Sequence, residues 1–328
     1  MVFWRGILIG WAALVLAPWQ VPVLRSNADV VVVDVHVTTR SGEVISDLIA
    51  ADFTLNVDGK PRPISSFSHE QMADAPAARR GSYSAMGTLS MGPVLEAPSY
   101  VMIVADPWTM RPESSRILFD QAAEFVAALP APHAVGLTLL PTRRPQFPFT
   151  VERQPIMAAL RRQLGAFNPG TPSSSADSLG ALDGLTAAVD ALRDVEGRRT
   201  MVLLTDALQD VNDQLRRLGD RAADANITIH TISTDPPEML DMSKRKPVDM
   251  PTVASAGAAI LSDLTGGWFL RRATNGSIVM PRIAKILAEQ YVLAFAMETG
   301  DKDGWPHRIE VTVKRSGADV RARSSFVR

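Results

Sequence analysis

From Val30 to Thr38 the chain reads VVVVDVHVT, and in its second half valine alternates with Asp34, His36 and Thr38. Period-2 alternation marks a strand with one buried face and one polar face. Ser41-Gly42 supplies a turn. A second set follows in DFTLNVDGKPRPISSFS: Phe53, Leu55 and Val57 share a face, Asp58-Gly59 turns the chain, and Ile64 and Phe67 resume the pattern. Residues 29–69 therefore read as a small all-β unit with too few strands to bury both its faces. Residues 70–97 keep neither period and are rich in Ala, Ser, Gly, Met and Pro, the composition of a linker.

From Tyr100 the pattern changes. YVMIVA is a continuous apolar strand, and SSRILFDQAAEFVAAL is an amphipathic helix with Ile117, Phe119, Ala122, Phe125, Val126 and Leu129 expected on its buried side. AVGLTLL, RTMVLLT and ITIHTIS are further buried strands, separated by the helices PIMAALRRQL, SLGALDGLTAAVDALRDV and DVNDQLRRLGDRAADAN. After a polar stretch over residues 235–255 come the helix AAILSDLT, the short strand GWFL and the helix SIVMPRIAKILAEQ. Apolar strands alternating with helices imply a parallel sheet covered on both faces, so residues 98–290 read as one α/β domain. Residues 291–328 return to strands: YVLAFAMET, HRIEVTVKR and DVRARSSFV. These supply what residues 29–69 lack, and the two chain ends are expected to form one β-sandwich with the α/β domain inserted between them.

The N-terminus carries a different signal. Ile7–Ala17 is an unbroken apolar run after a single arginine, Pro18 ends it, and Ser26 and Ala28 stand at −3 and −1 of a cut before Asp29. Residues 1–28 thus read as a signal peptide, and the protein as exported, periplasmic or extracellular. The rival is an uncleaved anchor over Ile7–Leu24, interrupted by Pro18, Gln20 and Pro22; only in that case is a membrane expected among the partners.

Composition narrows the chemistry. With 46% hydrophobic residues in 328, there is enough apolar surface for one large or two modest cores. A net charge of −1 without a basic stripe argues against nucleic acid as partner. The absence of cysteine excludes disulfides, thiolate metal sites and cysteine nucleophiles, and points to a bacterial envelope rather than a eukaryotic secretory route. GAFNPGT lacks the lysine of a phosphate loop, and no Gly-x-Ser-x-Gly elbow or His-Glu-x-x-His helix occurs. No enzyme is expected. The five histidines are far apart, and His36 and His230 sit within strand patterns where surface or satisfied-core roles are commoner than ligation.

Several marks together resemble the exported VWFA-related proteins described mainly from Acidobacteria, whose α/β part is a von Willebrand factor A domain. They are VDVHVTTRSGEVISDLIAADFTLNVDGKPRPISSF, RRTMVLLTDA, LSDLTGGWFLRRA, EQYVLAF and HRIEVTVKRSGADVRARSSF, which span residues 29–327 in order. The resemblance implies a Rossmann-like A domain and a metal-ion-dependent adhesion site, in which Asp-x-Ser-x-Ser, a middle-loop Thr and a further Asp hold a divalent ion for a partner's carboxylate. Asp106 matches the first Asp, Asp206 the last, and Thr171 the loop Thr. Trp108 and Met110 stand where the two serines belong, and Ala207 replaces the usual Gly. An indole N–H only donates and a thioether is a soft ligand, so neither replaces a hydroxyl on Mg2+. The site reads as degenerate, with no cofactor expected and Mg2+ as the alternative. Trp108 is then either an exposed anchor for a protein partner or, the preferred expectation, a plug in the former ion pocket. Recognition of a macromolecular partner without an ion is the function this reading implies.

Overall fold

The computed structural model describes residues 30–71, 99–130, 133–165, 175–208, 213–234, 256–271 and 279–328; the signal segment, most of the 70–97 linker and Thr171 lie outside them. In chain order the elements are β1 Val30–Thr39, β2 Phe53–Val57, β3 Lys60–Arg62, β4 Ser66–Gln71, β5 Ser99–Ala105, α1 Pro112–Ala128, β6 His133–Leu139, β7 Phe147–Thr150, α2 Gln154–Arg162 and α3 Ser175–Arg193. They continue as β8 Arg198–Leu204, α4 Gln214–Asp224, β9 Ile227–Ser233, α5 Ala256–Thr265, β10 Phe269–Arg271, α6 Val279–Ala288, β11 Glu289–Ala296, β12 His307–Val313, β13 Ala318–Ala322 and β14 Ser325–Phe326.

The central sheet runs β10-β9-β8-β5-β6-β7. Its strands are parallel except β7, which pairs antiparallel with β6 at the edge. The sequence pattern did not predict β7: Phe147–Thr150 is short, contains a proline and has no fully buried residue, as suits an edge strand. Alternate residues along the strands point to opposite faces. Val101, Ile103, Val135, Leu137, Val202 and Leu204 meet α1, α2 and α6, whereas Met102, Val104, Met201, Leu203 and Ile229 meet α3, α4 and α5. Burial of both faces explains the continuous apolar runs. The result is a Rossmann-like, mostly parallel sheet with helices on each side.

One side of α1 needs correcting. Ile117 is 46% exposed, and the buried stripe runs through Leu118, Phe119, Ala122, Phe125 and Val126. The other five expected positions, Phe119, Ala122, Phe125, Val126 and Leu129, are buried, so only Ile117 departs from the expected face.

The second unit is a β-sandwich of two four-stranded antiparallel sheets, β13-β1-β11-β4 and β14-β12-β2-β3. Its core joins both chain ends: Val31, Val33, Val35 and Leu55 pack with Tyr291, Leu293, Phe295, Ile309 and Phe326. The stretch expected as one last strand, DVRARSSFV, is two. It leaves the first sheet after Ala322 and enters the second at Ser325. Arg323 sits at the crossing, buried, with its guanidinium donating to the carbonyls of Ala223 (2.7 Å) and Val32 (2.6 Å). β11 begins at Glu289, in the residues expected to finish the preceding helix.

The sandwich docks near the amino ends of the central strands. Asn226, just before β9, donates to Asp34 on β1 (3.0 Å); Arg198 at the start of β8 pairs with Glu70 on β4; Ser324 N–H donates to the Leu264 carbonyl (2.9 Å). The polar face of β1 is therefore covered by the α/β domain at Asp34 and His36, and Thr38 is buried as well. The Thr-Gly-Gly joint is part of this seam. Gly266 has a left-handed φ of +75°, and a Cβ there would lie 2.4 Å from the Ala322 backbone; one on Gly267 would lie 2.0 Å from the Ile229 carbonyl.

Candidate functional site

The chain order reverses between β5 and β8: successive strands run outward from β5 to β7 on one side and from β8 to β10 on the other. The crevice at the carboxyl end of such a switch point is where open α/β sheets place ligand groups. Asp106 directly follows β5 and Asp206 follows β8 by two residues. The structure brings both sequence-predicted carboxylates to this rim.

They are joined by hydroxyls that the sequence pattern did not single out. Thr205 Oγ1 donates to Asp106 Oδ2 at 3.3 Å, Thr109 and Thr205 hydroxyls are 3.1 Å apart, and the Asp206 N–H donates to Thr109 Oγ1 at 3.1 Å. On the far side, Ser233 Oγ donates to Asp206 Oδ1 at 3.2 Å, the Thr234 N–H donates to Oδ1, and the Thr234 hydroxyl donates to Oδ2. Thr109 escaped notice because it stands three residues after Asp106, off the Asp-x-Ser-x-Ser spacing. The available signal was different: Thr205, Ser233 and Thr234 put hydroxyls at the carboxyl ends of two adjacent strands.

Between Asp106 and α1 lies a 3-10 turn, Pro107–Thr109, closed by the Met110 N–H donating to the Pro107 carbonyl. Three residues per turn place Pro107 and Met110 on one side, and both are buried, Met110 fully, within the α1 face of the core. Trp108 is swung to the other side and is 63% exposed. The expectation that its indole plugs the former ion pocket is thereby overturned; Met110 is the residue that goes inward. Leu164, also exposed, precedes Gly165, whose N–H donates to Ser115 Oγ beside the Met110–Arg111 backbone.

Burial is the main influence on Asp106, and it pushes the carboxyl up to about 6; the Thr205 hydroxyl and weaker pulls from Trp108 and Thr109 act the other way. Among the described residues no three His, Cys, Asp or Glu side chains gather as a metal site. The donors at the rim are hard oxygens, the type Mg2+ takes. Their arrangement does not fit an open coordination sphere, because both oxygens of Asp206 accept from Ser233 and Thr234 and the Asp106 carboxyl is held by Thr205.

No family model matches the chain, and no curated protein matches it. Among solved structures it is similar to the human COPII-coat protein Sec24c, at 9% identity and TM-score 0.37 over 71% of this chain and 44% of that one. It is similar to proximal thread matrix protein 1 of the mussel byssus with a zinc-occupied MIDAS motif, at 10% identity and TM-score 0.42 over 62% and 49%. The SpRpn10 VWA domain is a third, at 14% identity and TM-score 0.35 over 57% and 93%. The matched region is less than half the length of the first two.

Proposed function

We propose that this chain is an exported, non-enzymatic protein-interaction module that meets a macromolecular partner at the carboxyl rim of its central sheet without a resident metal ion. The observation that carries the reading is the pairing of an outward indole at Trp108 with two carboxylates already held by internal hydrogen bonds. A large aromatic presented on a short, proline-stiffened turn loses little conformational entropy on binding, which suits an anchor. Envelope extracts passed over immobilised chain should yield the same partner with and without EDTA, and Trp108→Ala should lose it while unfolding at the same urea concentration. Capture that is indifferent to Trp108→Ala sinks the reading.

A second reading has an observation of its own. Two carboxylates and the hydroxyls of Thr109, Thr205, Ser233 and Thr234 meet at one rim, enough hard oxygen for a divalent ion if Ser233 and Thr234 release Asp206. Calorimetric titration with Mg2+ or Mn2+ separates the two. Sub-millimolar binding that Asp106→Ala abolishes establishes an ion-dependent adhesion module instead. Export itself is tested by N-terminal sequencing from the native host, where a mature start near Asp29 is expected.

A further inference from the structure

Where the sandwich meets the α/β domain, three rings form a buried cluster. His36 comes from β1, His230 from β9, and Trp268 from the joint before β10. His230 stacks on Trp268 with centroids 5.8 Å apart and planes 15° apart, and His36 stands edge-on to both, 5.5 Å from Trp268 and 6.0 Å from His230. All three are almost wholly buried.

A hydrogen bond fixes the tautomer of one of them. The Trp268 backbone N–H donates to His230 Nδ1 at 3.2 Å, so the His230 proton is on Nε2. His36 Nδ1 has no partner, and the carbonyls of Glu289 and Ile286 act on this ring in favour of its proton, against burial and Arg198. His230 Nε2 and Trp268 Nε1 also lack partners. His230 Nδ1 can accept from the Trp268 N–H only while that imidazole is neutral, and a charge on either ring would be buried.

We propose that this cluster is an acid-labile latch between the two domains: a proton on His36 or His230 replaces the lone pair with another N–H, and the seam opens. Among the described residues no carboxylate acts on either imidazole. Arg198 on β8 acts on His36 as a like charge and is itself paired with Glu70 on β4. Arg321 on β13, across from His36, is bound to Asp263 and Asp319. On β1, Asp34 is held by Asn226 beside Arg323. Glu289 on β11 lies beside His69, and Lys285 on α6 pairs with Glu43. Burial accordingly depresses both histidines, His36 to about 4 and His230 to about 3.

The latch is tested on the whole chain by following the Trp268 indole N–H and the two histidine ring-carbon signals by NMR from pH 7.5 to 4.5, with His36→Phe and His230→Asn for assignment. After correction for intrinsic rates, indole exchange should accelerate by roughly tenfold per pH unit below 6.5 for each histidine, while amides of the sandwich core in β12 stay protected. Each single variant should remove about half of that slope on the logarithmic scale. Three results overturn the proposal: either histidine titrating near 6.5 in the folded chain, an unchanged slope in both variants, or acceleration that appears only together with the β12 amides. If a variant does not fold, the wild-type titration and the β12 comparison decide alone.

Discussion

At the scale of single residues the rim is defined by what each oxygen already does. Asp206 accepts three hydrogen bonds from Ser233 and Thr234, so Asp206→Ala strands a buried amide and two hydroxyls. Each unsatisfied group costs about 1–3 kcal/mol before relaxation, and urea unfolding should show a loss of about 2–4 kcal/mol. Asp106 should behave in the opposite way. Its folded pKa of about 6 lies above the ordinary 3.8, so the folded chain holds a proton that the unfolded chain releases. Stability is therefore fully present below 3.8 and is lost as pH rises through 6. Asp106→Asn removes that loss, and at pH 7 it should raise stability by up to about 3 kcal/mol, since one pKa unit is about 1.4 kcal/mol. A destabilised Asp106→Asn protein would contradict a carboxyl held up by burial. Asp106 was legible in the sequence because it follows an apolar strand directly, and Asp206 through the family resemblance alone. Thr109 and the direction of Trp108 were not, because they depend on a 3-10 turn whose period no motif encodes.

At the scale of elements, apolar periodicity located most strands and helices, and its failures share a cause. Phe147–Thr150 and the break between β13 and β14 are short segments whose state depends on distant neighbours, the antiparallel partner β6 for one and the Arg323 contacts with Ala223 and Val32 for the other. Another long-range tie holds the start of β12. His307 lies between Asp58, 2.8 Å from Nδ1, and Asp303, 3.1 Å from Nε2, and these hydrogen bonds, Asp58 first, raise its pKa. The folded state thus holds a proton on His307 more tightly than the unfolded state does. The gain is complete below 6.5 and fades as pH rises through the raised folded value. His307→Gln should therefore be less stable than wild type between about pH 5 and 6.5, with the gap in urea midpoint narrowing above neutrality. A gap that widens with pH would contradict the assignment.

At the scale of the whole molecule, the joining of the two chain ends into one sandwich was readable because neither end carried enough strands alone. The seam was not readable. The alternation of Asp34, His36 and Thr38 with valine gave the strand but not what covers its polar face, since a polar face turned to solvent and one turned to another domain look alike in sequence. A chain ending at Ala288 would lack β11, which pairs with both β1 and β4, and β12, which pairs with β2. It should show no protected amides in Val30–Thr39, measured by hydrogen exchange, and its first 71 residues should be cut rapidly by protease.

The placement of β1 between β11 and β13 also orders events in time. β1 leaves the ribosome before either of its strand partners, β11 and β13, has been made. A protein threaded through a membrane channel N-terminus first would carry those valines unpaired for the whole passage. Closure of the sandwich then waits on β11 and β13, the strands that flank β1 on both sides.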